Sequence, residues 1–67
     1  MTFKLEENRK NLNLYINGVL SYVLIRNIST KSGIWEAFKV VNNRIFATPV
    51  DSDRYRYDLA ERLDLSK

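Results

Sequence analysis

The stretch Asn11-Leu12-Asn13-Leu14-Tyr15-Ile16-Asn17-Gly18-Val19-Leu20-Ser21-Tyr22-Val23-Leu24-Ile25-Arg26-Asn27 decides the fold. Its centre, Asn17-Gly18, suits a two-residue type I′ turn, because both central positions need φ > 0 and Asn and Gly tolerate that best. The flanking runs read as strands over residues 10–17 and 19–27. Register counted from the turn places Ile16 opposite Val19, Leu14 opposite Ser21, Leu12 opposite Val23 and Lys10 opposite Ile25 on one face. On the other face it places Tyr15 opposite Leu20, Asn13 opposite Tyr22 and Asn11 opposite Leu24. A half-solvated ribbon is polar on one side, whereas this one carries large apolar groups on both. Both faces therefore need cover.

Working outward, Thr2-Phe3-Lys4-Leu5-Glu6 alternates as a first strand over residues 2–6, with Glu7-Asn8-Arg9 turning into the second. Ser29-Thr30-Lys31-Ser32-Gly33 has the composition of a loop. Residues 34–41 alternate again, Asn42-Asn43 makes a second tight turn, and a strand over residues 44–48 ends at Pro49. Across that turn Val40 faces Ile45 and Phe38 faces Ala47, with Val41 against Arg44 and Lys39 against Phe46 on the other side. Val50-Asp51-Ser52-Asp53 supplies N-cap side chains for a helix over residues 52–65. Its apolar stripe is Tyr55, Leu59 and Leu63, and Arg54–Asp58 and Asp58–Arg62 are spaced as i, i+4 charge pairs. The expected architecture is α+β: an antiparallel β-meander of about five strands, as a strongly twisted sheet or partial barrel, with one C-terminal helix.

Composition narrows the function classes. The 67 residues make a single compact domain near the lower size limit for a self-sufficient core. With no Cys there is no disulfide, thiol chemistry or Cys-ligated zinc. With no His the usual neutral-pH general base and the commonest metal ligand are missing. Asp51-x-Asp53 resembles the start of a calcium loop, but Tyr55, Arg56 and Tyr57 stand where further oxygen ligands belong, so helix capping is the better reading. Lys31-Ser32-Gly33 lacks the glycine-rich loop of a phosphate cradle. No catalytic residue, metal site or cofactor is expected, and the chain reads as a non-enzyme. The N-terminus lacks a signal-peptide pattern and no apolar run is long enough to cross a bilayer, which leads to the expectation of a cytoplasmic protein without membrane contact. Asn27-Ile28-Ser29 matches a glycosylation sequon, a chance match in that setting.

The net charge of +3 is uneven: residues 1–49 hold seven Lys or Arg against three Glu, and residues 50–67 hold four against five Asp or Glu. The basic excess thus lies in the sheet region. Two binding readings follow. One helix covers one sheet face, leaving Tyr15, Leu20, Tyr22 and Leu24, with Tyr57 outside the helix stripe, as a docking surface for another protein. Alternatively, Tyr15, Tyr22 and Phe46 stack bases while Lys39 and Arg44 meet phosphates, which makes nucleic acid the partner. A structural homo-oligomer, such as a homodimer, is the third reading. Small size, the lack of Cys and His, and Asn-rich strands resemble the accessory proteins encoded by bacteriophages and other mobile elements. That resemblance implies a stoichiometric binder that inhibits or regulates a host enzyme.

Overall fold

The computed structural model describes residues 3–29 and 33–65. Thr2, at the start of the first expected strand, and Thr30, Lys31 and Ser32 of the loop lie outside that range. The elements are β1 (Phe3–Asn8), β2 (Asn11–Ile16), β3 (Val19–Asn27), β4 (Ile34–Val41), β5 (Arg44–Ile45), β6 (Asp51–Asp53) and α1 (Arg56–Leu65). They form an open antiparallel sheet in the order β1-β2-β3-β4-β5, with β6 also on β4. The architecture is the α+β meander with a C-terminal helix that the sequence predicts. Both Asn turns have the left-handed backbone expected of them, with φ of 52° at Asn17, 78° at Gly18, 52° at Asn42 and 63° at Asn43.

The central hairpin departs from simple alternation at one residue. Ile16 pairs with Val19 and Tyr15 with Leu20, but Leu14 then pairs with Tyr22, Asn13 with Val23 and Leu12 with Leu24. Ser21 is the extra residue of a β-bulge, and its Oγ donates a 3.0 Å hydrogen bond to the Val19 carbonyl two residues back. A one-residue slip turns every later side chain to the opposite face. Tyr22 and Leu24 therefore point to the helix side, while Val23 and Ile25 take the open face that plain counting assigns to Tyr22 and Leu24. The exchange is favourable because plain alternation would bury the Ser21 hydroxyl opposite Leu14 and leave Leu24 without cover.

The core lies between the sheet and α1. Leu12, Leu14, Ile16, Leu24 and Ala37 pack with Leu59, Ala60 and Leu63, and Phe3, Leu5, Tyr22 and Trp35 close its margins. Leu14, Ile16, Leu24 and Leu59 are the largest fully buried side chains. Ala37 on β4 and Ala60 on α1 are also fully buried, and their small size lets the helix lie close to the sheet.

The C-terminal part corrects the sequence expectation twice. Strand β5 is two residues long rather than running to 48, and residues 51–53 form β6 instead of the first helical turn. β3 occupies one edge of β4 from Ile34 to Lys39, so the far edge takes β5 at Val40–Val41 and β6 at Trp35–Ala37. Backbone groups along that edge need partners, and β6 supplies them before the chain turns into α1. The Asp53 carboxylate accepts the Tyr55 N–H at 3.0 Å, and Tyr55 O accepts the first helical bond from Leu59 N–H at 3.1 Å. Tyr55 therefore caps the helix instead of lying on its buried stripe, and is 61% exposed.

Arg62 ties α1 to β6. Its guanidinium donates to both carboxylate oxygens of Asp51 at 2.8 and 3.0 Å, to Asp53 at 2.9 Å and to the Ser52 carbonyl at 2.9 Å. It turns to this strand rather than to Asp58. The Arg62 hydrogen bond holds the Asp51 carboxyl below its ordinary value, and the Tyr55 N–H followed by Arg62 does the same for Asp53. A carboxyl with a depressed folded pKa binds fewer protons folded than unfolded, so its contribution is complete above the unfolded value near 3.8 and is lost as pH falls through the lower folded value. Thermal melts taken across acidic pH are expected to show the melting temperature dropping below about pH 4. Arg62→Ala is expected to lower the plateau and flatten that acid limb, and Arg62→Lys to restore little, because an ammonium cannot reproduce the planar fork.

Candidate functional site

The sheet face opposite α1 is built from alternate residues of β1 to β4, with Ile45 of β5 and Ser52 of β6 at its margin. From the β1 edge inward, Lys4 pairs with Tyr15 and Tyr15 with Leu20; in the next row Glu6 pairs with Asn13, Asn13 with Val23 and Val23 with Phe38. Ile25 faces Glu36, which faces Ser52, and Val40 faces Ile45. The centre is thus apolar: Tyr15, Leu20, Val23, Ile25, Phe38 and Val40, with Ile45 at the β5 side. Lys4, Glu6, Asn8 and Asn13 form a polar border on one side and Glu36 stands at another.

Among the described residues no helix covers this face, since α1 packs on the other. Its side chains shield one another instead: Tyr15, Leu20, Ile25, Phe38 and Val40 are half-buried, Val23 between Asn13 and Phe38 is 6% exposed, and Ile45 at the margin is 55% exposed. An apolar centre inside a polar rim is the anatomy of a protein-contact surface. The edge strand β1 is guarded by charge, with Lys4 Nζ 3.7 Å from a Glu6 carboxylate oxygen. This exposed pair adds little stability.

The expected docking residues divide between the faces. Tyr15 and Leu20 lie on the open face as expected. Tyr22 and Leu24 do not, because the Ser21 bulge turns them to the core, where Leu24 is fully buried. Val23, Ile25, Phe38 and Val40 replace them. Phe38 and Val40 were legible as one face of the second hairpin, whereas Val23 and Ile25 required knowledge of the bulge.

The residues considered for nucleic acid also separate. Lys39 pairs with Tyr22 on the helix side, and a 2.9 Å bond from Phe46 N–H to the Lys39 carbonyl continues the β4–β5 pairing, so Phe46 stands beside Lys39. Arg44 pairs with Val41 one step further along. Tyr15 lies on the opposite side of the sheet and cannot join them.

Tyr57, 60% exposed in the first turn of α1, belongs to a different neighbourhood. The Arg56 guanidinium carbon is 5.3 Å from its ring centroid. Beside them a cavity of ≈ 520 Å³ is walled by Lys10, Asn11, Ile25, Arg26, Ile28, Trp35 and Arg56, and a shallower one of ≈ 350 Å³ by Arg26, Trp35, Arg54, Tyr55, Arg56 and Tyr57. The two share Arg26, Trp35 and Arg56. The signal for this basic and aromatic end is the alternation Arg54-Tyr55-Arg56-Tyr57, which the assignment of Tyr55 to a buried helix stripe conceals.

Asp51 and Asp53 are engaged by Arg62, and among the described residues no cluster of three or more His, Cys, Asp or Glu is placed to hold a metal ion. Among the same residues no helix is long and apolar enough to cross a membrane. No protein-family model, curated protein or solved structure matches this chain.

Proposed function

We propose that this chain is a small non-catalytic binding protein that docks on another protein through its open sheet face and regulates it by occupying that surface. The observation that carries this reading is the apolar centre formed by Tyr15, Leu20, Val23, Phe38 and Val40 on a sheet whose helix α1 packs against the other side. A hydrophobic sheet surface of this kind gains free energy roughly in proportion to the apolar area a partner removes from water. The rings of Tyr15 and Phe38 are rigid and bury much area at low entropy cost, as residues that dominate interfaces do. Lys4, Glu6 and Glu36 at the border supply orientation more than affinity.

The test is affinity capture from nuclease-treated lysate of the native host, with the unmodified chain and a folded Phe38→Ala variant side by side, followed by sizing. The proposal expects a protein retained after nuclease and depleted by the substitution. Equal capture by both chains contradicts it. So does sizing that shows a homodimer held through this face with no other partner, which is the outcome for a purely structural protein.

A further inference from the structure

The end of the molecule where the β1–β2 turn, the C-terminal end of β3 and the start of α1 meet collects cations without counter-ions. Arg26 and Trp35 are cross-strand partners between β3 and β4, and Asp53, next to Trp35 on β6, is engaged by Arg62. Lys10, Arg26 and Arg56 converge on the larger cavity, and Arg54 joins Arg26 and Arg56 around the shallower one. No Asp or Glu lines either. Among the described residues the ion pairs are Lys4–Glu6 and Arg62 with Asp51 and Asp53, so none of Lys10, Arg26, Arg54 or Arg56 is neutralised by a pair. Arg54 and Arg56 also stand at the start of α1, the end of a helix where positive charge is disfavoured. Gathering cations there costs stability that the contact of Arg56 with the Tyr57 ring returns only in part, which is the mark of a site built for an anion.

The arginines are interleaved with rings. Tyr55 and Tyr57 are each about three-fifths exposed, at 61% and 60%, and Trp35 forms a wall common to both cavities. Arg26 reaches into this space across Gly33: a Cβ added there would lie 2.5 Å from Arg26 Nε, so the glycine leaves room for the guanidinium to lie over the chain. The volume of ≈ 520 Å³ is within the range of about 300–1,000 Å³ common for ligand sites. Phosphate alone would use the cations and leave the rings idle. An acidic peptide would do the same. A single nucleic-acid strand uses both, with phosphates on the guanidinium groups and bases stacked on exposed ring faces.

We propose that this end of the sheet is a binding site for single-stranded nucleic acid, with Arg26, Arg54 and Arg56 holding phosphates and Tyr55 and Tyr57 stacking bases. The site adjoins the open face at Ile25, which lines the larger cavity, and it is not the Lys39, Arg44 and Phe46 group at the β4–β5 turn. Stacking on ring faces makes binding tolerant of sequence, and phosphate contacts make it steeply dependent on salt.

Trp35 is the single tryptophan of the chain and sits in the cavity wall, so its fluorescence reports directly on occupancy. Titration with a twelve-nucleotide oligothymidylate is expected to quench it with a Kd of about 1–100 μM near physiological salt. Three to four phosphate contacts give a log–log salt slope of about −2 to −3, at roughly −0.7 per contact for single strands. Arg54→Ala with Arg56→Ala is expected to flatten that slope by about 1 or more. Tyr55→Ala with Tyr57→Ala is expected to weaken the oligonucleotide by about tenfold or more while leaving binding of inorganic polyphosphate unchanged. All four substituted side chains are exposed, so both variants should keep the parent's circular dichroism, the tyrosine variant its melting temperature as well, and the arginine variant should melt slightly higher once the cations at the start of α1 are gone. Phe38→Ala should leave the oligonucleotide affinity intact. The proposal is overturned by an unresponsive Trp35 at millimolar oligonucleotide, by tighter binding of a twelve-base-pair duplex, or by polyphosphate binding as well as the oligonucleotide with no effect of removing both tyrosines.

Discussion

Leu24→Ala is expected to leave most of the chain unfolded at room temperature, whereas Ile25→Ala, one residue along, is expected to leave it folded. Leu24 has no exposed surface and sits in the core between Leu12 on β2 and Ala37 on β4, beneath α1. Truncating a buried leucine removes its transfer free energy and leaves a cavity, at a cost of about 2–5 kcal/mol. A domain of this length has about 3–10 kcal/mol of stability at roughly 0.05–0.15 kcal/mol per residue, and small cores fall toward the lower end. One substitution at Leu24 therefore removes much or all of it. Ile25 is half-buried on the face opposite α1, so its truncation leaves no enclosed void and costs about 1 kcal/mol. Chemical denaturation of both variants beside the parent reads the difference directly. Plain alternation from the Asn17-Gly18 turn predicts the reverse order, so the pair separates the two registers.

The second large effect is expected in binding. Tyr15→Ala combined with Phe38→Ala should weaken a docked protein partner by about 100-fold or more, since truncated aromatic hot spots cost about 2 kcal/mol or more each and a factor of ten corresponds to about 1.4 kcal/mol. The two rings lie on adjacent rows of the open face, joined through Leu20 and Val23. Their losses need not add, because neighbouring residues share a partner surface. Neither belongs to the core under α1, so the double variant should remain folded and its effect should appear mostly in the dissociation rate. Surface plasmon resonance with the captured partner measures this. Unchanged dissociation in a folded double variant would remove the open face as the docking surface.

Much of this architecture was legible because local and long-range signals agree. Asn17-Gly18 and Asn42-Asn43 demand positive φ, and the strands on either side follow from alternation. The bounds of β3 and β4 and the existence of a C-terminal helix are readable in the same way. The failures have two physical sources. Ser21 carries no composition signal for a bulge, since any strand serine reads as a polar residue facing solvent; only the competition between burying Ser21 and burying Leu24 decides it. The Asp51-Ser52-Asp53 segment has cap chemistry in sequence, yet the far edge of β4 needs hydrogen-bond partners, and that tertiary demand converts it to β6. The same shift frees Tyr55 from the helix stripe and creates the basic, aromatic end. Arg62, spaced for Asp58, is drawn across the fold to two carboxylates that β6 presents together.

The Ser21 bulge decides which side chains α1 covers and which stay on the open face. Side-chain proton NOEs of the unmodified chain in solution test it most directly. The Leu24 methyls should show cross-peaks to the Leu59, Ala60 and Leu63 side chains of α1, while Val23 and Ile25 show none to the helix and Val23 shows them to Phe38. Helix cross-peaks from Val23 and Ile25, with Leu24 instead close to Tyr15, would contradict the bulged register and with it the open face built on Val23 and Phe38.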